Sequence, residues 1–296
     1  MNYQRRDFIK LSAALGAGLA LGPLTNGLAG CSPVAKAKSE INNDFGLQLY
    51  TLRDVLPADP KGVLAQVASF GYKQLEGYEG PKGMFWGMSN TEFKSYVEGL
   101  GMKFVASHCN INENFEQKAE QAAAIGMKYL IAPYFGPQKS IDAFKRYADT
   151  LNQKGEICKK HGLRFAYHNH DYSFKPVDGQ IPQVVMLDST NKDLVDFEMD
   201  IYWVINAGEN PAAWFQRYPN RFRLCHVKDR QKGVGETSKN VSVVLGTGSI
   251  DFPNILKVAA QQGMKYFIVE QEAYEGTTPL QAAKEDAQYM KNFSFA

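Results

Sequence analysis

The chain has 296 residues, 44% hydrophobic and 22% charged, ordinary globular proportions with length enough for one large core or two modest ones. Of its 33 basic and 31 acidic residues, Arg5, Arg6, Lys10 and Asp7 fall in the first thirty, leaving 30 of each sign beyond them; so balanced a domain has no positive footprint for phosphate backbones, which sets nucleic acid aside as a partner. With Cys31 accounted for below, Cys109, Cys158 and Cys225 cannot close a disulfide framework and read as small buried hydrophobes.

At the start of the chain, Gln4-Arg5-Arg6-Asp7-Phe8-Ile9-Lys10 is a twin-arginine pattern, followed by an apolar stretch over 11–21 too short and glycine-rich to span a bilayer dependably. It ends in Leu28-Ala29-Gly30-Cys31, which resembles a bacterial lipobox whose cysteine is acylated and becomes the mature N-terminus. The alternative is an ordinary N-terminal helix with a chance Arg-Arg. Two signals in the right order favour a signal peptide over 1–30, lipidation at Cys31 and a polar tether over 31–43. The expected protein is exported by the twin-arginine route and lipid-anchored to a bacterial membrane, facing the periplasm.

From residue 44 short apolar runs alternate with stretches of helical length. Strands are expected over 45–50, 72–78, 102–108, 127–132, 163–168, 194–200, 221–227 and 265–270. The intervening helices are expected over 59–70, 90–100, 112–125, 140–161, 182–189, 211–218, 252–262 and 279–292. Gly71, Gly101, Gly126, Gly162 and Gly263 each stand where a helix ends and a strand begins. Eight such units in one stretch predict a closed parallel (β/α)8 TIM barrel, an α/β fold, as one catalytic domain over 44–296. No Gly-rich dinucleotide fingerprint follows the first strand, which weakens an open doubly wound sheet.

Chemistry in such barrels gathers at the C-terminal ends of the strands, where residues two apart share a face. Those ends carry Gln48 and Tyr50, Gln74 and Glu76, His108, His168 and His170, Glu198 and Asp200, His226 and Lys228, and Glu270 and Glu272. Gly46, Ala106, Ala132 and Ala166, of the same parity, leave room beneath them. His168, Asp200, His226 and Glu270 form an N2O2 set suited to Mn, Fe, Co or Zn. The metal-free alternative is a set of imidazoles and carboxylates that share protons. Glu198 either orients a ligand histidine or pairs with Arg164 or Lys228. Aromatic residues such as Trp86, Trp203 and Tyr274 suit the C–H faces of sugars, and Gln48, Tyr50, Glu76 and Trp203 are the expected substrate contacts.

The strings Gly46-Leu47-Gln48-Leu49-Tyr50-Thr51-Leu52-Arg53, Tyr167-His168-Asn169-His170-Asp171, Asp200-Ile201-Tyr202-Trp203, His226-Val227-Lys228-Asp229 and Val269-Glu270-Gln271-Glu272 together resemble the xylose isomerase-like barrel superfamily, often labelled sugar phosphate isomerase/epimerase, over residues 45–296. The resemblance implies a divalent metal, Mn favoured, held by His168, Asp200, His226 and Glu270, with His170 as the alternative strand-five ligand. Ketose 3-epimerases place a proton-moving glutamate where this chain has His168, and a histidine where it has Trp203. The implied chemistry is removal of a proton α to a carbonyl, with His170, Lys228, His108 and Glu272 as candidate acid–base groups. Export favours glycosides over phosphorylated sugars, and hence a lyase that eliminates the aglycone from 3-keto-glycosides. A keto-sugar isomerase or epimerase working through an enediolate is the alternative, and a non-catalytic sugar-binding lipoprotein the further one. An abasic-site endonuclease on the same barrel lacks a basic track here. The oligomeric state is open.

Overall fold

The computed structural model describes residues 40–235 and 241–295. The expected signal peptide, Cys31 and the tether as far as residue 39 lie outside the described residues. The tether's last part is a correction: Glu40–Asn43 form a 3-10 turn, and the Ile41 side chain is buried in the core. The folded domain therefore starts a few residues before 44.

All eight expected strands are present: β1 (Gly46–Gln48), β2 (Gln74–Tyr78), β3 (Lys103–His108), β4 (Tyr129–Ala132), β5 (Arg164–His168), β6 (Val195–Asp200), β7 (Phe222–Val227) and, after a small ribbon, β10 (Tyr266–Val269). They close into one barrel in the order β1-β10-β7-β6-β5-β4-β3-β2, and each neighbouring pair is parallel. The ribbon is β8 (Asp229–Arg230) paired antiparallel with β9 (Ser242–Val243). Helices α1 (Pro60–Phe70), α2 (Asn90–Gly99), α3 (Phe115–Ala124), α4 (Ile141–Lys160), α5 (Pro182–Ser189), α6 (Ile201–Asn206), α7 (Pro211–Arg217), α8 (Phe252–Gln261) and α9 (Pro279–Lys291) connect them. Among the described residues no helix is long and apolar enough to cross a membrane.

Helix starts follow local chemistry. Asp59, Asn210 and Thr278 each accept a backbone N–H of the first turn, and a proline follows at once in a position that needs no donor. The five re-entry glycines all take positive φ, between 76° and 105°, a conformation open to glycine at no steric cost.

The core has two layers. Val105, Ala106, Tyr129, Ile131, Ala166, Leu224 and Ile268 fill the barrel, and a larger apolar shell lies between strands and helices. Ile131, not Ala132, faces inward on β4, so the expected parity is off by one there. Register shifts interrupt the ladders between Leu75 and Glu76 and between Phe197 and Glu198. The residues left unpaired are Val105 on β3 and Arg223 on β7, and the ladders resume at Glu76 and Glu198, two buried carboxylates.

Candidate functional site

Two imidazoles define the centre. His168, the last residue of β5, donates Nδ1–H to the Pro133 carbonyl at 3.2 Å. His226, near the end of β7, donates Nε2–H to Glu76 Oε1 at 2.7 Å. These anchors turn the remaining nitrogens, His168 Nε2 and His226 Nδ1, toward each other at 3.2 Å. Two lone pairs cannot face each other so closely without positive charge between them. Asp200, which ends β6 and caps α6 by accepting Trp203 N–H through Oδ1, turns Oδ2 to the same point. That oxygen is fully buried without a hydrogen-bond donor, 3.6 Å from His168 Nε2 and 3.7 Å from His226 Nδ1. Glu270 Oε2 lies 3.2 Å from His226 Nδ1.

His168, Asp200 and His226 thus gather donor atoms within reach of a single ion. Glu270 adjoins them through His226 but is drawn to Lys228. Two imidazole nitrogens facing each other beside an orphaned carboxylate oxygen are a donor set that fits a divalent transition metal. His170, the alternative ligand, is in neither of the metal-competent groups found among the described residues.

Lys228 is almost wholly buried. Its ammonium donates to Glu272 at 2.7 Å and to Glu270 at 3.2 Å, lies 3.5 Å from Asp200, and is covered by the rings of Tyr202 and Trp203 at 5.0 and 5.1 Å. Burial lowers its pKa, but Asp200, Glu270 and Glu272 outweigh that and hold it well above the usual lysine range. A lysine so firmly protonated is a counter-charge and not a base. Burial pushes the carboxyls of Asp200 and Glu270 up; Lys228 first, then the histidines, pulls both down below their ordinary values.

Beneath this layer lies a second cluster. His108 at the end of β3 donates Nε2–H to Glu198 at 2.7 Å, with Glu76 3.3 Å away, and Gln48 donates to Glu76 at 2.7 Å. Glu76, His108, Glu198 and His226 also bring donor atoms within reach of one ion. Burial opposes the charge on His108, yet Glu76 and Glu198 raise it to about 9. Burial and the neighbouring Glu76 push Glu198 up to about 7. Glu198 therefore pairs with His108; Arg164 instead binds Asp196, at 2.7 Å. The orienting partner of His226 is Glu76. Replacing it, Glu76→Gln, removes the charged acceptor that sets the His226 tautomer, and metal affinity is expected to fall about 10–100-fold in a chelator-competition titration.

Above the centre opens a cavity of about 630 Å³ whose lining includes His108, His168, His170, Trp203, Glu270 and Glu272. Tyr50, Tyr78 and Tyr134 add aromatic walls. Tyr50 sits in a 3-10 turn, Leu49–Leu52, started by Gln48, whose side chain accepts Tyr50 N–H. Of the four residues expected to touch substrate, Tyr50 and Trp203 line this cavity. Gln48 and Glu76 do not: both are fully buried below it, where they support His226. Tyr134 and Asn110 line the wall unforeseen: Tyr134 follows β4, whose Tyr129–Ala132 offers no polar alternation to extend, whereas Asn110 lies two residues beyond His108, where continued alternation could have found it. His170 is packed among Tyr134, Tyr172 and Trp203, with ring centroids 5.0–5.8 Å away. Burial, then His168, lowers its pKa well below the usual histidine value, so at neutral pH the ring is uncharged.

The sequence profile of the family described as xylose isomerase-like TIM barrel matches residues 64–293. That of the twin-arginine translocation pathway signal sequence matches residues 2–22, a signal for export across a membrane. A sugar phosphate isomerase/epimerase from Parabacteroides distasonis is 27% identical, covering 87% of this chain and 96% of that one with a TM-score of 0.73. The crystal structure of IolI protein with a binding zinc atom is similar in fold, with a TM-score of 0.69 at 17% identity over 86% of this chain and 99% of that one. Inosose dehydratase of Clostridium perfringens is 29% identical over 164 residues, 51% of this chain and 54% of that protein. The chain spans about half the length of the curated relatives it matches.

Proposed function

The chain belongs to the xylose isomerase-like TIM barrel family, and from that premise we propose that it is an exported, metal-dependent lyase that eliminates the aglycone from 3-keto-glycosides. The observation that carries the reading is the pair of facing imidazole nitrogens, 3.2 Å apart, beside the orphaned Asp200 oxygen under an aromatic-walled cavity. Aromatic faces suit sugar C–H surfaces. Among the described residues no lysine or arginine lines the cavity, so a phosphorylated sugar finds no counter-charge there, whereas an uncharged glycoside needs none. A dehydratase among the relatives supports elimination over reprotonation.

His168, Asp200, His226 and Glu270 would hold the ion. When bound, a divalent ion polarises a keto oxygen and acidifies the adjacent C–H. His170, neutral and at the cavity wall, takes the proton from the carbon between the keto group and the anomeric centre. The electron pair of that C–H bond becomes the new C=C bond as the glycosidic C–O bond breaks. His108, protonated at neutral pH and braced by Glu198 and Glu76, gives a proton to the departing oxygen. Products are an alcohol and a 2-hydroxyglucal-type enone. Glu272, held by Lys228, is left to orient a sugar hydroxyl, and Lys228 to neutralise the carboxylates.

In this reading residues 1–30 are the signal peptide, Cys31 carries the acyl anchor, the residues after it up to 39 join it to the barrel, and the enzyme faces the periplasm. Purified protein loaded with Mn2+ and given a 3-keto-glucoside should release aglycone and enone. Turnover of a free ketose with no aglycone released would replace the lyase reading with the isomerase one.

A further inference from the structure

The opposite end of the barrel carries a feature the chemistry does not use. Nearly every strand begins with a cation: Lys73 precedes β2, Lys103 opens β3, Lys128 precedes β4, Arg164 opens β5, Lys192 precedes β6, Arg223 lies at the start of β7 and Lys265 precedes β10. Barrel pairing sets them side by side. Lys103 N–H bonds the Lys73 carbonyl, Arg164 N–H that of Lys128, and Lys265 N–H that of Arg223, each at 2.9 Å. The five lysines are exposed, and none forms an ion pair with a described residue. A hollow of about 510 Å³ at this mouth is lined by Lys128, Arg164, Lys192, Arg223 and Lys265. Acidic residues here include Asp44, Asp193 and Glu98, which shares a hollow with Lys94, Lys103 and Lys128, while Asp196 is already bonded to Arg164. The mature domain as a whole is balanced, so these cations are segregated and not merely abundant. The chain also enters the barrel at this end, since β1 begins there and the signal sequence precedes it.

We propose that this N-terminal mouth is a docking surface for an anionic lipid bilayer, seating the barrel with its catalytic mouth turned away from the membrane. Charge complementarity supplies the attraction. The inference rests on export to a membrane-bounded compartment and not on the lyase reading or on acylation of Cys31.

The barrel unit spans Ala37–Ala296, so a chain of residues 32–296, which cannot be acylated at Cys31, keeps it whole. That chain should sediment with phosphatidylglycerol vesicles but not with phosphatidylcholine vesicles, and should dissociate as salt is raised. The triple variant Lys103→Gln, Lys128→Gln, Lys265→Gln should bind roughly 100-fold more weakly, about fivefold per lysine, with an unchanged melting temperature. Equal binding to both vesicles, unaltered binding by the triple variant, or retention on heparin without vesicle binding would each overturn the proposal.

Discussion

Replacing His226 by glutamine is expected to lower kcat by roughly a thousandfold or more and to strip the protein of its divalent ion. Among the described residues His226 alone belongs to both clusters. Its Nδ1 faces His168, Asp200 and Glu270, while its Nε2 binds Glu76 and lies 3.5 Å from Glu198. Burial disfavours its charge, but Glu198 and Glu270 more than compensate and hold its pKa well above the ordinary value. The ring therefore holds a second proton, with Nδ1 facing His168 at 3.2 Å, and would have to give it up to act as a ligand. Glutamine keeps much of the side-chain volume but offers no nitrogen lone pair to the centre. Metal content by mass spectrometry, kcat on the keto-glycoside and a thermal melt separate the lost ligand from a lost fold. A variant that keeps its ion and its kcat would remove His226 from the centre.

Lys228→Met carries the second large effect, on stability. The methionine fills similar space but leaves Asp200, Glu270 and Glu272 without the ammonium that all three face. Stranding buried charge in this way costs about 3–5 kcal/mol. The sign of the pH dependence follows from the shifts. In the wild type Asp200 and Glu270 have lowered folded pKa values, so their contribution is present above the unfolded carboxyl range and lost as pH falls through the folded values. Lys228, with a raised folded value, contributes fully below the unfolded lysine range and loses that contribution as pH rises through its folded value. Without the lysine the carboxyls take up protons more readily. The penalty is therefore largest near pH 8 and shrinks toward pH 5, and added Mn2+ should restore part of it. Denaturant unfolding across that range checks the trend; a variant as stable as the parent at pH 8 would assign the carboxylates another counter-charge.

The barrel was legible because its signals are local. Five glycines sit at helix ends where only φ > 0 lets the chain turn back, and each apolar run between them became a strand. The convergence of His168, Asp200 and His226 was also legible, since polar residues at strand ends share one rim. What strand alternation missed depends on partners or on breaks in the ladder. Glu76 keeps the inward parity that alternation gives it but is fully buried against Gln48 and His226, so it reads as a wall residue until its partners are known. Tyr50 leaves the strand because Gln48 caps a 3-10 turn. Helix α6 looks like continued strand, as Ile201-Tyr202-Trp203-Val204-Ile205 is apolar throughout; the Asp200 side chain, by capping Trp203 N–H, starts the helix. The β8–β9 ribbon has only two residues on each side, too few for alternation to reveal.

The most direct test is an anomalous diffraction map from crystals of the full chain grown with Mn2+ or Zn2+. One peak within about 2.0–2.3 Å of His168 Nε2, Asp200 Oδ2, His226 Nδ1 and Glu270 Oε2 is the result expected. A peak instead among Glu76, His108 and Glu198, or no peak at this end of the barrel in a sample that turns over substrate, would contradict it.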